Sequence, residues 1–93
     1  MGKYKVEIQP TAEKDLSKHK KSGNKATQLK IIKILDELKE HPYSGTGKPE
    51  LLKYELQGYW SRRINKKDRL VYKVQENVVT VFVLSAWGHY SDK

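Results

Sequence analysis

Tyr59-Trp60-Ser61-Arg62-Arg63-Ile64-Asn65-Lys66-Lys67-Asp68-Arg69-Leu70-Val71-Tyr72-Lys73-Val74 is the stretch that decides the fold. It reads as two β-strands joined by a polar turn. Side chains in a strand alternate between two faces, so a hairpin's register follows from which residues must be buried together. Trp60 and Ile64 belong on the inner face with Leu70, Tyr72 and Val74. The turn then has an odd residue count, and Tyr59, Ser61 and Arg63 share the outer face with Arg69, Val71 and Lys73. Arg62 fits this scheme badly. It must lie near a sheet edge or reach an acidic partner such as Asp36 or Glu37.

Working outward, Lys3 to Gln9 alternates with Tyr4, Val6 and Ile8 on one side, as a half-buried strand does. Pro10-Thr11 ends it, and Thr11 reads as the cap of a short helix over about 12–20. Ser22-Gly23-Asn24 breaks that helix, and Asn24 caps a second over about 25–40. Ile31, Ile34, Leu35 and Leu38 form its apolar stripe, widened by Leu29 and Ile32. His41-Pro42 stops it. After a loop from Tyr43 to Glu50, short strands are expected over about 53–56, 59–64, 69–74 and 78–86. The order is strand, two helices, meander. It predicts one α+β domain over 1–93, with both helices on one face of a twisted antiparallel sheet and the other face left for a partner.

The 93 residues carry a formal charge of +8, which attracts polyanions. All three arginines, Arg62, Arg63 and Arg69, lie in the hairpin, whereas lysines are spread along the chain. Arginine's planar fork suits fixed two-pronged contact with phosphate or carboxylate. There is no cysteine, so neither a disulfide nor a thiolate metal site is available. That is compatible with a reducing cytoplasm. Three scattered histidines do not suggest a metal site. Met1-Gly2-Lys3-Tyr4-Lys5 has no apolar run of the signal-peptide kind, and no stretch approaches the roughly 18 apolar residues of a membrane span.

Several residues carry chemistry in principle, each with a plainer alternative. Glu50 is either an exposed loop carboxylate or a general base. His89, in Trp87-Gly88-His89-Tyr90, is either incidental to the chain end or an acid at the rim of the outer face. Arg63 and Arg69 either pair with Glu55 and Asp68 or hold the oxygens of one phosphate. Lys53 offers a weaker version of the same choice. Tyr59, Trp87 and Tyr90 either pack or stack on bases. His19 and His41 look structural or exposed. Gly45-Thr46-Gly47-Lys48 is not a nucleotide-binding P-loop, because its spacing is wrong and Pro49 stands where a Ser or Thr would hold magnesium.

The run His41-Pro42-Tyr43, Gly45-Thr46-Gly47-Lys48-Pro49-Glu50, Leu52-Lys53, Leu56 to Ile64 and Arg69-Leu70-Val71-Tyr72 resembles the YoeB/Txe toxins of the RelE/ParE superfamily. His89-Tyr90 matches that family's closing pair. Leu51, where a proline is common, and the Ser91-Asp92-Lys93 extension depart from the pattern. The resemblance implies a RelE-like, microbial-ribonuclease-type fold and the toxin of a type II toxin–antitoxin system. The implied activity is ribosome-dependent cleavage of mRNA without a metal or other cofactor. Glu50 then corresponds to the general base, His89 to the general acid and Arg69 to the phosphate-stabilising arginine. Lys53 and Arg63 correspond to supporting cations, and Tyr90 to a residue shaping the site. The implied partners are a YefM/Phd-type antitoxin, the ribosome and mRNA. A homodimer, and binding of the toxin–antitoxin complex to operator DNA, are further implications. The place of action is the cytoplasm, with no membrane. The alternative is a non-catalytic toxin of the same fold, such as a gyrase inhibitor, or a basic nucleic-acid-binding module.

Overall fold

The computed structural model describes residues 3–88. Strand β1 (Lys5–Ile8) leads into helices α1 (Pro10–Ser22) and α2 (Lys25–Leu38). Strands β2 (Glu50–Leu51), β3 (Trp60–Arg63), β4 (Arg69–Gln75) and β5 (Thr80–Ser85) follow. They make one five-stranded sheet in the order β1-β5-β4-β3-β2.

The hairpin has the register that burial demands. Trp60 faces Tyr72, Ser61 faces Val71, Arg62 faces Leu70 and Arg63 faces Arg69. An Asx-type turn closes it, with Asn65 Oδ1 accepting the backbone N–H groups of Lys67 and Asp68 at 2.8 and 2.7 Å. The inner face meets both helices in a core that includes Ala12, Ile31, Ile34, Leu38, Ile64, Leu70, Tyr72, Val81 and Val83.

Four expectations need correction. The sheet is mixed, because β1 pairs parallel with β5, Lys5 opposite Thr80 through Ile8 opposite Val83. No turn joins β1 to a neighbour, so nothing local fixed its direction. Residues 53–56 are not a strand: Tyr54–Leu56 form a 3-10 turn, and Tyr54 takes a left-handed φ of 59°. The strand that does pair with β3 is the two-residue β2 just upstream, Glu50 opposite Ser61 and Leu51 opposite Trp60. Helix α1 is capped at Gln9 rather than Thr11, since Pro10 has the fixed φ that suits a first helical turn. Leu29 and Ile32 are 66% and 62% exposed, so the buried stripe of α2 is the narrower Thr27, Ile31, Ile34, Leu38. Asn24 caps α2 as expected, its side chain accepting from Thr27 N–H at 3.0 Å.

Arg62 finds the acidic partner that its inward position requires. Its side chain is fully buried and pairs with Glu37 at 2.8 Å. It also donates to the backbone carbonyls of His41 and Ser44 at 2.5 and 2.8 Å, and through Nε to the Tyr72 hydroxyl at 3.1 Å. Tyr72 in turn donates to the Pro42 carbonyl at 2.6 Å. The Tyr43–Pro49 loop is therefore wrapped around one buried guanidinium. Glycine is required at two points of this wrap. A Cβ at Gly45 would run into the Glu37 carboxylate, and one at Gly47 would lie 2.8 Å from the Arg63 carbonyl. Gly47 accepts from Arg63 N–H at 2.7 Å, which ties the loop to β3 three residues before Glu50. On the far side, Glu76 accepts hydrogen bonds from Tyr4 and Tyr43, so the same loop is also tied to β1 and to the turn after β4.

Candidate active site

Paired residues in a ladder point to the same side, and so do residues two apart along a strand. Glu50, Ser61 and Val71 therefore form one row across β2, β3 and β4, and the Arg63–Arg69 pair forms the next row on the same face. Standard strand geometry puts the Glu50 and Arg63 Cα atoms about 8 Å apart and those of Glu50 and Arg69 about 12 Å apart. Two arginine side chains and a glutamate can converge on one phosphate across that span. Glu50, Lys53 and Arg63 are exposed and Arg69 is half-buried. Glu50 lies on an edge strand rather than in a loop, so its backbone is fixed by pairing with Ser61.

Lys53 follows β2 in extended conformation and leads into the 3-10 turn. Lys73, on the same face of β4, places its ammonium 5.7 Å from the centre of the half-buried Tyr59 ring. The face is less bare than the pattern implies. Leu52, Ser61 and Val71 are buried there, outside the main core. The Ser61 hydroxyl is buried with no hydrogen-bond partner among the described residues, and nothing in the structure explains it.

His89 and Tyr90 lie outside the described residues. The chain immediately before them is held at every step. Ala86 N–H donates to Asp15 Oδ2 at 2.9 Å, and His19 Nε2 donates to the Ala86 carbonyl at 2.7 Å. The Trp87 ring lies 4.8 Å from the His19 ring, with the Lys18 ammonium 5.1 Å from its centre. Gly88 N–H donates to Asp68 Oδ1 at 2.8 Å, while its carbonyl accepts from Arg69 N–H at 3.1 Å. Gly88 is thus bound at both backbone groups, to Arg69, which opens β4, and to Asp68 just before it. Asp68 accepts from Gly88 and, at 3.0 Å, from Asn65, and is buried in doing so.

Asp15 was not singled out in the sequence, and His19, read there as structural or exposed, is structural: both hold Ala86, three residues before His89. They are buried on α1, in line with Ala12. The 12-15-19 spacing is a helical stripe, but two of its members are polar, so an apolar count does not see it. The Trp87 ring rests on α1 through His19 and Lys18 and is still 43% exposed.

The buried loop anchor has clear electrostatics. Burial works to raise the Glu37 pKa, but the Thr46 hydroxyl and N–H donors and the Arg62 guanidinium outweigh it and hold the carboxyl below its ordinary value. Burial pushes the Tyr72 phenol up, with Arg62 opposing in part. The Tyr43 and Tyr4 hydroxyls hold Glu76 low. Among the described residues no three His, Asp or Glu side chains are grouped as metal ligands. None of their helices is long and apolar enough to cross a membrane.

Residues 9–90 match the family of the YoeB-like toxin of bacterial type II toxin–antitoxin systems. The chain is 44% identical over 69 residues to Toxin YoeB of Mycobacterium bovis, covering 74% of this chain and 79% of that one. Its fold is similar to the YoeB dimer of Staphylococcus aureus, with a TM-score of 0.77 and 35% identity over 95% of this chain and 99% of the other. It is also similar to a chain of the heterotetrameric YoeB–YefM toxin–antitoxin complex of Staphylococcus aureus, with a TM-score of 0.75 and 36% identity over 94% and 98%.

Proposed function

Because this chain belongs to the YoeB-like toxins of bacterial type II toxin–antitoxin systems, we propose that it is an endoribonuclease that cuts mRNA on the ribosome and so stops translation. The single observation that carries this reading is the shared face of Glu50, Arg63 and Arg69. A carboxylate one strand from one guanidinium group and two strands from another suits attack at a phosphodiester, where one group must take a proton and others must meet growing negative charge.

In this scheme Glu50 accepts the proton of a ribose 2′-hydroxyl, and the resulting oxygen attacks the adjacent phosphorus. Arg69 and Arg63 offset the charge on the non-bridging oxygens, with Lys53 supporting. The bond from phosphorus to the 5′-oxygen breaks, and His89 supplies the proton to that leaving oxygen. Tyr90 shapes the site around it. The products are a 2′,3′-cyclic phosphate and a 5′-hydroxyl, and no metal takes part. A general base on an edge strand and cations on the neighbouring strands are held by the sheet itself, which supplies the preorganisation that such electrostatic catalysis needs.

The partner we propose is an antitoxin of the YefM type, by analogy with the Staphylococcus aureus complex. An acidic segment, disordered until bound, suits the +8 surface. A homodimer, as found for the Staphylococcus aureus toxin, is a second assembly. The cytoplasm, where ribosomes and mRNA meet, is the proposed place of action. The test is expression with and without the cognate antitoxin, followed by mapping of mRNA 5′ ends. Cuts inside translated codons, absent when the antitoxin is present, are expected. Growth arrest with DNA damage and intact mRNA contradicts the proposal.

A further inference from the structure

Tyr54 combines two features that folding alone does not reward. Its side chain is 83% exposed, more than any other large apolar side chain of the described residues, and its backbone sits at a φ of 59°, where L-residues are strained. The ring has no aromatic or cationic partner among the described residues, unlike Tyr59 against Lys73 and Trp87 against His19. A glycine would take the same backbone without strain and would lose no packing.

The residue is nonetheless firmly held. Leu56 N–H donates to the Lys53 carbonyl at 3.1 Å and Gln57 N–H to the Tyr54 carbonyl at 3.0 Å. At the base of the turn, Leu52 N–H donates to the Tyr59 carbonyl at 2.8 Å, which continues the β2–β3 ladder. The turn therefore carries a bare aromatic ring on a fixed backbone, one residue after Lys53 and four after Glu50. Its neighbours Lys53, Glu55 and Gln57 are exposed and polar, and Leu51, three residues before it, is also exposed. An exposed ring on a fixed backbone, next in sequence to a cation, matches the stacking platforms of proteins that hold single-stranded nucleic acid, where the ring takes a base and the cation its phosphate.

We propose that Tyr54 is a stacking platform for one unpaired nucleobase of the RNA that crosses the Glu50–Arg63–Arg69 face, with Lys53 meeting the adjoining phosphate. The inference rests on the ribonuclease reading and adds a binding site to it. The test compares the full chain with Tyr54→Phe, Tyr54→Ala and Tyr54→Gly in three measurements: cleavage of ribosome-bound mRNA, thermal unfolding, and affinity for the cognate antitoxin. Tyr54→Phe keeps the ring and stays within about twofold of the parent. Tyr54→Ala and Tyr54→Gly lose about tenfold in kcat/KM, mostly through KM, because stacking holds substrate and transition state alike. Tyr54→Gly at the same time melts about 3 °C higher, since the strain is relieved. Val79, at a φ of 48° by the β1–β5 end of the sheet, is the control. Val79→Gly raises the melting temperature and leaves cleavage unchanged.

Parent-like cleavage by Tyr54→Ala and Tyr54→Gly, with the parent active, overturns the platform and leaves the ribonuclease reading standing. Loss of cleavage with a lower melting temperature assigns Tyr54 a structural role and also overturns it. Weaker antitoxin binding with unchanged cleavage assigns the ring to the protein partner, with the same consequence. A parent that cuts no RNA overturns the ribonuclease reading itself.

Discussion

Arg62 and Glu37 form an ion pair 2.8 Å long, with the arginine side chain wholly buried and the carboxylate mostly so. The pair joins the third strand to the second helix and fixes the loop that delivers Glu50. Its neighbour Arg63 points to the opposite face. Two consecutive arginines therefore have opposite duties, one structural and one facing the candidate site, simply because a strand alternates.

Removing the inner arginine should be severe. Arg62→Met leaves the Glu37 carboxylate and the His41 and Ser44 carbonyls without their donor. Loss of one partner of a buried pair costs about 3–5 kcal/mol, against a total stability of roughly 5–10 kcal/mol for so small a chain. Urea denaturation of the two proteins measures the difference. A loss below about 1 kcal/mol, the range of exposed pairs, contradicts the keystone role.

Acid should dissolve the same pair. The folded-state pKa of Glu37 lies below its ordinary value of 4.5. Its contribution to stability is therefore complete above that value and is lost as pH falls through the lower, folded one. Glu76, held low by Tyr43 and Tyr4, adds to the same trend. Glu37→Gln is expected to be less stable than the parent at pH 7, with the gap narrowing below about pH 4.5. Melting curves from pH 3 to 7 provide the check, and a gap that stays constant across that range contradicts the assignment.

Arg69→Lys replaces a fork by a point charge. Single-turnover cleavage of ribosome-bound mRNA is expected to slow by about 100-fold, the scale for loss of one oriented charge-stabilising group, while far-ultraviolet circular dichroism stays unchanged. A rate equal to that of the parent removes Arg69 from the proposed chemistry.

The anchor before the chain end is open to a separate test. Asp15→Asn keeps the shape of the side chain but weakens its hold on Ala86 N–H, where a charged acceptor becomes a neutral one. If this anchor orients the residues that follow Gly88, the variant loses single-turnover rate while its KM holds. Unchanged cleavage by a measurably destabilised Asp15→Asn limits Asp15 to stability alone.

Much of this was legible in the sequence, for reasons that differ by residue. The hairpin register could be read because Trp60, Ile64, Leu70 and Tyr72 leave one way to bury them together, and the placement of Arg63 opposite Arg69 came with it. Arg62 was readable as a misfit, and a misfit charge on an inner face calls for an opposite charge nearby, here Glu37. The parallel pairing of β1 was not readable, since no turn connects it to β5. The turn at residues 53–56 was hidden because Tyr54 adopts a backbone that tyrosine rarely takes. Asp15 was hidden because helix periodicity shows in apolar residues, and this one is buried through its hydrogen bond to Ala86; His19 was readable as structural, but not its hold on the Ala86 carbonyl.

In the proposed chemistry Glu50 starts a metal-free 2′-hydroxyl attack on a phosphate held by Arg63 and Arg69. The end groups of the cut report on that attack. Ribosome-bound mRNA is given to the parent protein and to Glu50→Gln, with divalent ions chelated just before mixing under conditions where the ribosomes are shown intact. A 2′,3′-cyclic phosphate and a 5′-hydroxyl are expected from the parent, and a rate lower by about 100-fold or more from Glu50→Gln. A 5′-phosphate product, or equal rates from the two proteins, contradicts that chemistry.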